Sequence, residues 1–152
     1  MRKNGFYGIG IYKPKKESNW GTLFRTAQVF DANFLFMIGQ RYRRHPSDTA
    51  YSARHIPVYE YIDWDDFISH MPIDCTLIGI EMTYKAMPLS RFVHPKRAIY
   101  LLGAEDSGLP ITIQNDCQAL VYLPGDMCLN VSIAGSIVLY DRLAKKRKGD
   151  ET

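Results

Sequence analysis

LPGDMCLNVSIAGSIVLYDRL, residues 123–143, passes from a Pro-Gly turn through Cys-Leu-Asn into a run of small and branched apolar residues. Two readings of it are open. In the first, Asn130 is a helix N-cap whose side-chain oxygen accepts from a backbone N–H two or three residues on, and the charged run from Asp141 to Lys148 ends the helix. In the second, the helix start faces a ligand. Ser132, Ala134, Gly135 and Ser136 are small enough to let a backbone or cofactor come close, and the free N–H groups of a first turn are ready donors.

Working outward from this stretch, short β-rich runs alternate with helical periodicity along the whole chain. Strands are expected at 6–12, 34–38, 57–61, 75–80, 98–102 and 119–123, most of them continuous apolar runs that belong in strands covered on both faces. Helices are expected at 19–31, 46–54, 63–70, 110–116 and 130–147. That succession predicts an α/β fold, a mostly parallel sheet with helices on both faces, and 152 residues with 46% apolar content suffice for one domain with its own core.

An open α/β sheet binds its ligand at the carboxyl ends of the strands. Three loops there are rich in Gly, Pro, Asn and Ser: KPKKESNWG (13–21), GAEDSGLP (103–110) and PGDMCLN (124–130). None is a G-x-G-x-x-G or a phosphate-binding G-x-x-x-x-G-K-[ST] loop, so nucleotide binding of those kinds is not indicated.

Charge is segregated along the chain. Residues 1–45 carry nine Lys/Arg against two acids, residues 46–141 carry five against twelve, and residues 142–152 are basic again. The clusters YKPKK (12–16), RYRRH (41–45) and RLAKKRK (142–148) are candidates for one polyanion-binding face. Lys13, Lys15, Lys16, Arg41, Arg43 and Arg44 are therefore candidate RNA-binding residues, with Tyr42 placed to stack on an unpaired base and the tail from 145 expected to be flexible. No run approaches the length of a membrane span and the first residues lack a signal-peptide series, so no membrane association and a cytoplasmic address are expected. Cys75, Cys117 and Cys128 are far apart, and the four histidines lack metal-ligand spacing, so neither disulfide nor metal is expected.

Together the three loops resemble the three motifs of the SpoU (TrmH-like) branch of the SPOUT RNA 2′-O-ribose methyltransferases. NWGTLFRTA supplies Asn19, Gly21, Arg25 and Ala27; LLGAEDSGL supplies Gly103, Glu105, Gly108 and Leu109; the opening stretch supplies Leu123, Pro124, Leu129, Asn130, Val131, Ser132 and Ala134. Two positions depart from the pattern. Cys128 stands where the family usually has Ser, and Ser18 rather than Pro precedes Asn19.

The resemblance implies a parallel α/β sheet with a C-terminal trefoil knot, S-adenosylmethionine as cofactor, and a homodimer with the active site near its interface. It implies methylation of a ribose 2′-hydroxyl of RNA, tRNA ahead of rRNA; the alternatives are base-nitrogen methylation and an inactive RNA-binding or assembly factor of the same fold. Ile80, Leu102, Gly103, Gly108, Leu123, Cys128 and Leu129 would hold the cofactor. Arg25, Asn19, Glu105 and Asn130 would serve catalysis. Arg25 is either a general base or, since a guanidinium keeps its proton, a cation that grips a phosphate and stabilises developing alkoxide. Asn19 is expected to cap its helix as well, and Glu105 to hold Asn19, Arg25 or the substrate ribose.

Overall fold

A computed structural model describes the backbone of residues 5–49 and 51–149 and the side chains of these up to Lys145. One sheet of seven parallel strands organises it: β1 (Phe6–Tyr12), β2 (Phe34–Ile38), β3 (Val58–Tyr61), β4 (Thr76–Ile80), β5 (Met87–Pro88), β6 (Arg97–Leu102) and β7 (Ala119–Tyr122). Their order across the sheet is β3-β2-β1-β6-β4-β7-β5, with every pair parallel. The helices are α1 (Glu17–Val29), α2 (Trp64–His70), α3 (Ile111–Asp116) and α4 (Val131–Gly149).

The continuous apolar strands fill two cores, one on each face of the sheet. Ile9, Ile11, Leu35, Met37, Ile78 and Leu102 pack with Trp20, Leu23 and Phe24 of α1 and Ala134, Val138 and Leu139 of α4. Phe34, Phe36, Leu77, Ile99 and Leu101 face the other way, toward Phe67 of α2 and Ile113 of α3. This is the period-2 division of a strand between two buried faces, and it puts helices on both sides as the sequence predicts. Gly135 lets α4 press against the sheet, because a Cβ there would come within 2.5 Å of Leu23 Cδ1 and 3.0 Å of Leu102 Cδ1.

One expected helix does not form. Residues 46–54 give only a short 3-10 turn at Ser52–Arg54. The carboxylate of Asp48, fully buried, accepts from Ser52 N (2.9 Å) and Ser52 Oγ (2.8 Å), and Tyr51 takes a left-handed φ of 52°. Local side-chain acceptors of this kind compete with a helical ladder and win. The two-residue β5 lies below the length at which periodicity is readable. Elsewhere α2 begins as an acidic helix start should, with Asp63 Oδ1 accepting from Asp66 N at 2.9 Å.

Candidate active site

A cleft of about 270 Å³ opens where β4, β6 and β7 end and α4 begins. Every residue expected at the cofactor lines it: Ile80, Leu102, Gly103, Gly108, Leu123, Cys128 and Leu129. Gly108 has φ +64°, and a side chain there would collide with the carboxylate of Glu81. Glu81, which the sequence reading did not single out, lines the cleft and accepts from Leu109 N at 2.7 Å and Met82 N at 3.1 Å. Its signal was its place, directly after the last residue of β4.

A chain of side-chain hydrogen bonds ties the three loops together. Asn130 caps α4, its Oδ1 accepting from Ser132 N (2.9 Å) and Ser132 Oγ (2.6 Å). Its other end, Nδ2, donates to Asn19 Oδ1 at 2.9 Å, and Asn19 Nδ2 donates to Glu105 Oε1 at 2.7 Å. Glu105 also accepts from the backbone N–H of Lys15 (3.1 Å) and Lys16 (3.4 Å). Partial burial works to raise the Glu105 carboxyl, but the hydrogen bonds from Asn19 and from backbone N–H groups outweigh it and hold the group below the usual carboxylate range. Asn19 is no helix cap. It is buried inside the first turn of α1, which starts two residues earlier with no side-chain cap at Lys16.

The expected basic residues divide into free and engaged. Lys15 pairs with Asp106 on the cleft rim, both side chains more than half exposed. Lys13 lies 5.4 Å from the Tyr12 ring, and Lys16, Arg41 and Arg43 are exposed. Tyr42 is half-buried and stacks on Phe24 at 5.7 Å, so part of its ring serves the packing of α1. Burial and the neighbouring Asp48 push its hydroxyl pKa up. Arg25 is exposed, lines no part of the cleft, and among the described residues makes no hydrogen bond or ion pair. The structure therefore joins Asn19, Glu105 and Asn130 but leaves Arg25 outside their network within one chain.

Two cations of the C-terminal basic cluster are engaged within the chain. Arg142, fully buried, donates through Nη1 to Pro95 O (2.8 Å) and Tyr100 Oη (2.9 Å) and through Nη2 to Lys96 O (3.1 Å). Lys145 donates to Leu89 O (2.5 Å) and Phe92 O (2.8 Å) and pairs with Asp141 at 2.7 Å. His94 bridges the same network, 2.6 Å from Tyr100 Oη and 2.8 Å from Asp141 Oδ2, and burial pushes its pKa down to about 4. These two cations anchor α4; of the tail expected from 145 to be flexible, the side chains of Lys146, Arg147 and Lys148 and residues 150–152 lie outside the described residues.

The sequence model of the SpoU rRNA methylase family matches residues 8–140. The chain is similar to the tRNA (guanosine(18)-2′-O)-methyltransferase TARBP1 of Mus musculus, 26% identical over 137 residues, 83% of this chain and 8% of that protein. It is similar to the 23S rRNA (guanosine-2′-O-)-methyltransferase RlmB of Acinetobacter baylyi, 34% identical over 68 residues, 43% of this chain and 27% of that protein. The chain thus spans a small part of the curated relatives it matches. In fold it is like a solved protein described for 2-OH methylation of C/U34 on tRNA, with a TM-score of 0.82 at 18% identity, covering 96% of this chain and 99% of that one.

Proposed function

The chain belongs to the SpoU rRNA methylase family, and on that premise we propose that it is an RNA methyltransferase acting on a ribose 2′-hydroxyl with S-adenosylmethionine as cofactor. The observation that carries this reading is the meeting of all three motif loops at one cleft, bound to each other through Asn130, Asn19 and Glu105. The cleft suits the cofactor chemically. Ile80, Leu102, Leu123, Leu129, Val131 and Ala134 give apolar walls for a purine, and the carboxylates of Glu81 and Glu105 give acceptors for ribose hydroxyls and a field that favours a cation. When bound, S-adenosylmethionine supplies an electrophilic methyl group on a sulfonium.

The residues of the chain position and exclude. Glu105 stays ionised and holds Asn19, which holds Asn130, so the start of α4 keeps one geometry while RNA enters. Such fixed placement contributes on the order of 7–11 kcal/mol when it yields near-attack geometry. Arg25 serves as the cation that stabilises developing alkoxide and grips the adjoining phosphate. Its exposure, with no partner among the described residues, suits a residue that meets substrate at a subunit boundary. A homodimer is part of the proposal: Ile133, Ile137 and Tyr140 form an exposed apolar stripe along α4, beginning beside the cleft, with Val29 of α1 exposed as well. The trefoil knot, a single domain and a cytoplasmic address belong to the same proposal, the last supported by three free cysteines. Transfer RNA is favoured over rRNA, since a tRNA-modifying relative is matched over 83% of this chain.

The test is methyl transfer from labelled S-adenosylmethionine to unmodified tRNA and to rRNA, followed by nucleoside mass spectrometry. The expected product is a 2′-O-methylated nucleoside from tRNA. Methylated bases instead would make this a base methyltransferase, and cofactor binding without transfer to either RNA would make it a binding factor.

A further inference from the structure

Arg44 and Arg54 converge on one exposed aromatic ring. Their guanidinium carbons lie 3.7 and 4.6 Å from the centroid of Tyr51, and so within about 8 Å of each other. Both arginines are exposed, and among the described residues neither is paired with a carboxylate. Asp48 makes no ion pair with either, since its carboxylate bonds to Ser52 and Arg44 Nη2 reaches the Asp48 carbonyl, at 3.3 Å. Two like charges held beside one ring repel each other, and an anion bound near both offsets that repulsion. The ring holds both guanidinium groups in cation–π contact, and a guanidinium has several N–H donors to present to an oxyanion.

The position of this group relates it to the cleft. Its loop is bound to the first turns of α1, where Trp20 Nε1 donates to Arg43 O (2.8 Å) and Ser47 Oγ donates to Ser18 O (3.1 Å), on either side of Asn19. Gly21 faces His45 and the backbone of Asp48, and Arg25, one helical turn on, shares that face of α1. We propose that Arg44, Tyr51 and Arg54 form a clamp for a backbone phosphate of the RNA, on the same side of α1 as Arg25. This rests on the RNA methyltransferase reading and adds Tyr51 and Arg54 to the substrate surface. An RNA backbone is favoured over an acidic protein because the exposed Arg41 and Arg43 extend the same loop as further cations, a row suited to successive phosphates.

The experiment is the affinity of the whole chain for unmodified tRNA as a function of KCl, for the parent and for Arg54→Ala, Arg54→Lys and Tyr51→Leu. Arg54→Ala is expected to weaken binding about 3- to 10-fold near 0.1 M salt and to lower the log–log salt slope by roughly 0.7–0.9, one phosphate contact. Arg54→Lys keeps the slope and recovers part of the affinity, since the charge remains without the planar fork. Tyr51→Leu weakens binding at nearly constant slope, because both charges stay but lose their common support. Thermal melting and heats of S-adenosylhomocysteine binding should match the parent, and if Tyr51→Leu fails to fold, the exposed Arg54 pair decides. Parent-like affinity and slope in Arg54→Ala would overturn the clamp, and methyl transfer by the same samples would leave the proposed function intact. A parent that binds neither S-adenosylhomocysteine nor tRNA would overturn the function and the clamp with it. Loss of poly-glutamate binding in Arg54→Ala with tRNA binding unchanged would overturn the clamp in favour of an acidic protein partner.

Discussion

The two halves of α4 carry polar networks of opposite kinds. At its start, Asn130, Asn19 and Glu105 join three loops and open onto a cleft; in its later half, Asp141, Arg142 and Lys145 close onto His94, Tyr100 and the carbonyls of residues 89–96. The helix runs from the carboxyl end of β6 toward its amino end, Leu102 lining the cleft and Arg142 reaching the carbonyl just before Arg97. Hydrogen bonds at the first end leave carboxylate lone pairs for a ligand, whereas at the second they consume the charges. Composition alone cannot separate these cases, because a buried Arg and a solvated one are the same letter.

Arg142→Ala should have the largest effect on stability. It removes the guanidinium donor from Tyr100 Oη and from the partly buried Pro95 carbonyl, leaves Lys96 O with Phe6 N as its donor, and opens a cavity over Tyr7, whose ring centre lies 4.5 Å from the guanidinium carbon. A loss of about 3–5 kcal/mol is expected in urea unfolding. A loss below 1 kcal/mol would mean that the later half of α4 is not the anchor described.

Arg25→Ala probes the other end of the comparison from outside its network. Methyl transfer should fall roughly 100- to 1,000-fold, with S-adenosylhomocysteine affinity and melting temperature unchanged. Retained single-turnover rates would remove Arg25 from the chemistry, and lost cofactor binding would give it a structural role.

The anchor should also sense pH. His94 is held neutral, its pKa pushed down to about 4 by burial against the opposing pull of Asp141, with Arg142 and Lys145 adding to the depression. The unfolded chain, with an ordinary histidine near 6.5, binds more protons between these values. Stability therefore rises with pH from about 4 to 6.5, by up to about 3 kcal/mol from this group, and that contribution is fully present above 6.5. His94→Gln should flatten the profile in this window relative to the parent; equal slopes would place the titration elsewhere. Asn130→Ala removes a cap worth about 1 kcal/mol yet should sharply reduce methyl transfer by freeing Asn19.

Much of this was legible in the letters. Continuous apolar runs located β1 and β2 at their observed ends, and the turn residues at strand ends located the cleft. The helix expected at 46–54 was lost because periodicity does not weigh Asp48 as a competing acceptor. The partner of Asn19 was open because a hydrogen bond across 86 residues has no local trace. The role of Arg142 had a signal that charge counting overrode: Val131, Ala134, Val138, Arg142 and Lys145 recur at helical spacing, so the cation continues the inward stripe. Arg44 and Tyr51, seven residues apart in a loop without period, gave no sign of meeting.

Calorimetric titration of S-adenosylhomocysteine decides whether the open end of α4 holds a methyl-donor cofactor. Saturable binding of one molecule per chain is expected, lost in Ala134→Trp, which fills the cleft, and preserved in Arg54→Ala. Folded parent protein that gives no binding heat and no change in melting temperature with either S-adenosylhomocysteine or S-adenosylmethionine would contradict it.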